Sequence, residues 1–81
     1  MATTYGFTEY FETEVLRKRP YVTKELCVRV VRQPARAEPQ EGNRYRFWAL
    51  VLELGNRYLR VVTLANRVTI HTAFLDRRFR P

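Results

Sequence analysis

The stretch Asn43-Arg-Tyr-Arg-Phe-Trp-Ala-Leu-Val-Leu-Glu-Leu-Gly-Asn-Arg-Tyr-Leu-Arg-Val-Val-Thr-Leu-Ala-Asn-Arg-Val-Thr-Ile-His-Thr-Ala-Phe74 decides the fold. Its residues are β-branched and aromatic in runs of strand length, broken at Gly55-Asn56 and at Ala65-Asn66, two-residue signals that suit tight hairpins. With a shorter run before it, the stretch predicts strands near 35–39, 43–54, 57–64 and 67–74, an antiparallel meander of about four strands. Polar Pro39-Gln40-Glu41-Gly42-Asn43 reads as the loop joining the first two. Two-residue hairpins set Leu54 against Arg57 and Leu64 against Arg67, and every other pair follows by counting. One face then carries Trp48, Leu50, Leu52, Leu59, Val61, Thr63, Val68, Ile70 and Thr72, almost wholly apolar, and is the expected seat of the core. The other carries Tyr45, Phe47, Ala49, Val51, Glu53, Tyr58, Arg60, Val62, Leu64, Arg67, Thr69, His71 and Ala73.

Upstream the period changes from two to 3.6. Thr8 is a candidate N-cap, Glu9, Glu12 and Glu14 suit the positive end of a helix dipole, and Arg17, Lys18 and Arg19 suit its negative end before Pro20. This predicts a helix over 8–19 with Phe7, Phe11, Val15 and Leu16 on one side. Thr23 caps a second expected helix over 23–33, whose stripe of Leu26, Cys27, Val30 and Val31 runs to Pro34. The expectation is an α+β fold, two N-terminal helices on one face of the meander, with residues 1–81 as a single domain.

Composition narrows the function. The chain has 81 residues, 15 Lys or Arg against 8 Asp or Glu, and a formal charge of +7. That balance favours an anionic partner. Thirteen of the cations are Arg, which suits bidentate contacts to phosphate or carboxylate, although heat adaptation or a GC-rich genome gives the same bias. One cysteine and one histidine exclude an internal disulfide and a structural zinc site, and no metal or other cofactor is expected. Cys27 reads as a buried, inert thiol. No apolar run approaches the roughly 18 residues that span a membrane, and the N-terminus lacks the pattern of a signal peptide, so a cytoplasmic location is expected. There is no phosphate-binding glycine loop, and hydrolysis of a nucleotide by such a loop is excluded.

In the expected register Arg60 and His71 are cross-strand neighbours, an anion-holding guanidinium beside an imidazole kept neutral, and so the candidate catalytic pair. The alternative is a surface histidine bonded to the sheet. Arg67, Arg77, Arg78 and Tyr58 are candidates for nucleic-acid binding, the tail of arginines and phenylalanines from Phe74 to Arg80 suiting a single strand; the same tail can instead dock Phe74 and Phe79 on the core. Phe47, Val62 and Leu64 form an expected exposed apolar cluster, a candidate partner site.

Five runs, Leu16-Arg-Lys-Arg-Pro-Tyr-Val-Thr-Lys-Glu25, Val31-Arg-Gln-Pro34, Asn43-Arg-Tyr-Arg-Phe-Trp48, Leu59-Arg-Val-Val-Thr63 and His71-Thr-Ala-Phe-Leu-Asp-Arg77, resemble the short bacterial proteins of the BrnT-like branch of the RelE/ParE toxin superfamily. The likeness covers the chain from about Phe7 onward. It implies a RelE-like fold, a toxin of a type II toxin-antitoxin pair, a metal-independent ribonuclease acting on free or ribosome-bound RNA, and a small acidic antitoxin as partner. The resemblance implies basic groups on the open sheet face and a proton carrier, and Arg60, Arg67, His71 and Arg77 are expected where such groups are needed, although no fixed motif of the family matches them residue by residue. The residues themselves leave two other readings open, a nucleic-acid-binding module without chemistry and a protein-interaction module with a basic surface. Size alone makes a second copy a further candidate partner.

Overall fold

The computed structural model describes residues 3–81. A short strand β1, Gly6–Phe7, leads into helix α1, a π-helical Phe11–Val15 continuing as α-helical Leu16–Lys18. Thr8 begins it, its Oγ1 accepting from the backbone N–H of Phe11 at 3.1 Å. Helix α2 is Lys24–Arg32, capped by Thr23, whose Oγ1 accepts from Leu26 N–H. Four longer strands follow: β2 Arg36–Gln40, β3 Arg44–Val51, β4 Arg57–Leu64 and β5 Thr69–Leu75. The sheet order is β1-β5-β4-β3-β2. The fold is therefore α+β, two helices with a five-stranded mixed sheet, because β1 pairs parallel to β5 while all other pairs are antiparallel.

Both hairpins differ from the two-residue expectation, and the differences move side chains between faces. After Val51 the chain turns through a 3-10 segment, Leu52–Leu54, and Gly55 closes it in the left-handed region at φ 76°. Val51 pairs with Arg57, so the connection holds residues 52–56 and the register of β3 moves by three. An odd shift inverts the faces. Phe47 now pairs with Val61, and both enter the core beneath the helices with Phe11, Val15, Val30 and Leu59. Trp48 pairs with Arg60 on the opposite face. It is buried, at 5% exposure, but under the tail instead of the helices.

The second hairpin turns with Arg67 at φ 66° and with the Asn66 side chain accepting from Val68 and Thr69 N–H. A bulge follows: Thr63 pairs with Ile70 but Val62 with Thr72, which leaves His71 without a cross-strand partner. Ala73, expected on the open face, is buried in the core, and Arg60 pairs with Phe74 instead of His71. The expected apolar cluster is likewise divided. Phe47 lies under the helices, Val62 is buried on the other side of the sheet, and Leu64 is half-buried. These three form no common exposed patch.

Candidate nucleic-acid interface

Alternation along four strands and the tail builds the helix-free face. Arg36 and Glu38 come from β2, Arg46 and Trp48 from β3, Tyr58 and Arg60 from β4, and Phe74 from β5. Trp48 lies at the centre. The ring of Phe79 stacks on it at 4.8 Å between centroids and 18° between planes, and the guanidiniums of Arg46 and Arg60 stand 5.4 and 5.5 Å from its ring. Arg60 also lies 5.2 Å from the Phe74 centroid, and Arg36 lies 5.1 Å from that of Phe79. Cations over aromatic faces are attracted by the ring quadrupole, so each ring orients a guanidinium.

Asp76 fixes the centre of this cluster. Its Oδ2 accepts from Trp48 Nε1 at 2.9 Å and lies 3.7 Å from Arg60 Nη1, while its Oδ1 accepts from Arg78 N–H. Burial pushes the Asp76 carboxyl up, but the Trp48 and backbone hydrogen bonds and the Arg60 charge outweigh it and hold the group below its ordinary value. Arg60 also donates from Nη2 to Gln40 at 2.8 Å, and its buried Nε has no partner. Arg46 donates from Nε and Nη2 to Glu38. Arg36, Arg78 and Arg80 have no carboxylate partner among the described residues. Together these side chains line a shallow cavity of about 350 Å³ with five guanidiniums against the two carboxylates of Glu38 and Asp76. The excess of cations suits an anion.

The other candidates fall in different places. His71 lies near Thr8 and Tyr10: its Nδ1 is 3.0 Å from Thr8 Oγ1, and the Tyr10 ring stacks on it at 5.1 Å. Burial, and then the charge of Arg44, lower its pKa and so favour the neutral imidazole. Arg67 stacks over Tyr45 at 4.2 Å and donates to its hydroxyl, on the helix side of the sheet and away from Arg60. Tyr58 lies on the helix-free face against Phe79, and Arg77 lines a second cavity beside it. Arg78 belongs to the Arg60 cavity. Cys27 is buried in the core, which pushes its thiol up to about 12 and makes it unreactive.

Sequence reasoning did not single out Arg36, Arg46, Trp48 or Asp76 for the site, and took Arg80 only as part of the aromatic tail. The two-residue spacing of Arg44, Arg46 and Trp48, and of Arg36, Glu38 and Gln40, is the signal that finds the strand residues among them once the register is known, while Asp76 and Arg80 lie past the last strand and carry no such signal. A larger cavity, about 620 Å³ between α2 and β1, holds fewer free cations, since of its Lys24, Arg29 and Arg32 the first two are paired with Glu12 and Glu53. Comparison with known protein families, curated proteins and solved structures finds no match to this chain.

Proposed function

We propose that the protein is a nucleic-acid-binding module that grips phosphates on its helix-free sheet face. The observation that carries this reading is the ring of Arg36, Arg46, Arg60, Arg78 and Arg80 around Trp48, with only two carboxylates among them. Guanidiniums held over aromatic rings are pre-oriented, so less rotamer freedom is lost when they close on a phosphate. Counterion release from the nucleic acid then supplies most of the affinity, which makes binding steeply salt-dependent. The resemblance to the BrnT-like branch adds a RelE-like arrangement, RNA as the nucleic acid, a cytoplasmic setting, and a small acidic partner that competes for the same basic face.

Metal-independent RNA cleavage is the second reading, favoured by one observation: His71 is partly exposed in surroundings that lower its pKa, which suits a proton acceptor. Arg60 faces Phe74 across the strands instead of His71, so this reading rests on His71 without the Arg60 partner expected from the sequence.

One titration tests both readings. With a labelled RNA in chelator, Arg36→Gln and Arg80→Gln each weaken binding and reduce the slope of log affinity against log salt by about one. Unchanged slopes remove the phosphate-gripping face. If the RNA is also shortened by the unaltered protein and not by His71→Ala at similar affinity, the ribonuclease reading stands; intact RNA leaves binding alone.

A further inference from the structure

The geometry points to Phe79 as a stand-in for a nucleobase: the chain's own tail fills a stacking site on Trp48 that an unpaired base of a single-stranded nucleic acid takes on binding. This rests on the nucleic-acid-binding reading and adds to it the strandedness of the ligand and a strap that regulates the site. Phe79 lies nearly parallel to the indole of Trp48, with the guanidinium of Arg36 over its ring. An indole and a guanidinium are the two groups that hold a base in a single-strand site.

The surroundings fit a removable occupant. Two cavities of about 250 and 350 Å³ lie beside the tail, and Asp76, Phe79 and Arg80 line both, so this segment stands between them. Withdrawing the Phe79 ring uncovers Tyr58 and Trp48, which sit diagonally across β3 and β4 with ring centroids each 4.8 Å from that of Phe79, as the floor of one trough along the tail. Arginines rim both ends of the trough, Arg57 and Arg77 at one and Arg36 and Arg46 at the other. Bases stack on the floor while phosphates follow the rims. The tail is rooted at Asp76, whose N–H donates to Tyr58 O and whose carboxylate accepts from Arg78 N–H. Past that root the chain has neither helix nor strand, so Phe79 leaves without breaking a ladder.

Trp48 is the chain's one tryptophan, so its emission reports on this site alone. The probes are an unstructured oligothymidylate of about ten residues and a duplex of equal length, a span that fits the site sizes of small single-strand binders. In the unaltered protein the single strand quenches Trp48 as a base replaces the Phe79 ring, and the duplex binds without changing the emission. Phe79→Ala, with its circular dichroism unchanged, binds the single strand roughly five- to tenfold tighter and the duplex within about twofold of the parent, since one competing stack has been removed. A folded Phe79→Ala that binds the single strand no tighter overturns the proposal. If that variant does not fold, the unaltered protein decides: a bound single strand that leaves Trp48 emission unchanged also overturns it. Failure of both probes to bind removes the nucleic-acid reading and this inference with it.

Discussion

Asp76 carries more of the helix-free face than any of the arginines around it. One carboxylate accepts from the indole of Trp48 and from Arg78 N–H and faces Arg60 at 3.7 Å, with the Asp76 and Arg60 side chains only 14% and 22% exposed. Removing a partner from such a site leaves the remaining donors desolvated and unpaired, which costs more than the bond itself contributed. Asp76→Ala should therefore lower stability by about 2–4 kcal/mol, while Asp76→Asn, which keeps an acceptor for Trp48, should cost less. Urea unfolding checks this as a lower midpoint at unchanged slope. Equal midpoints for the parent and Asp76→Ala would show that the carboxylate is dispensable. The sequence displays Asp76 only as an acid beside Arg77 and Arg78; its link to Trp48, 28 residues away, follows from the tertiary fold.

Among the elements, those that carry their own local chemistry are legible and those set by a turn are not. Thr23 followed by Glu25 and an apolar stripe marks α2, and its cap and length agree with that reading. The β-branched runs mark β3, β4 and β5. What fails is register. Leu52, Glu53 and Leu54 continue an apolar alternation and read as strand, yet Leu52 is 68% exposed because the chain has already turned. Gly55-Asn56 locates the turn correctly but does not reveal the 3-10 segment before it, and three residues of slip place Phe47 where Trp48 was expected. The bulge at His71 has no letter of its own, and β1 is two residues whose pairing with β5 is wholly tertiary. Gly55 is the residue that makes the turn possible. A Cβ there would meet nothing closer than Arg57 Nε at 3.6 Å, so the obstacle to substitution is the backbone at φ 76° and not space. Gly55→Ala should cost about 1 kcal/mol, seen as a lower unfolding midpoint. An unchanged midpoint would mean that the turn does not depend on this conformation.

Across the whole molecule the two faces of the sheet divide the labour: helices cover one, and the other is left to arginines, aromatic rings and a tail. The excess of cations and the aromatic tail are legible in composition, whereas their gathering around Trp48 depends on the inverted register. With 15 Lys or Arg against 8 Asp or Glu, the fold also depends on keeping its acids ionised. Hydrogen bonds from Arg17 and Arg29 lower the carboxyls of Glu14 and Glu53 from 4.5, and Asp76 lies below 3.8. A depressed carboxyl binds its proton more readily in the unfolded chain, so its contribution is present above the ordinary value and lost as pH falls through the folded one. His71 has the same sign, because its folded pKa lies below 6.5: the neutral imidazole stabilises above that pH, and the unfolded chain takes up the proton first below it. Thermal unfolding should then show a plateau above pH 6.5, a gentle decline below that as the unfolded chain takes up the His71 proton, and a steep fall below about pH 4.5. His71→Gln should remove the gentle decline and leave the steep one. Added salt should move the steep limb to lower pH by screening the unopposed arginines. A midpoint that rises on going from pH 7 to about pH 5 would contradict the placement of His71, since a histidine destabilised as its cation gives the opposite sign.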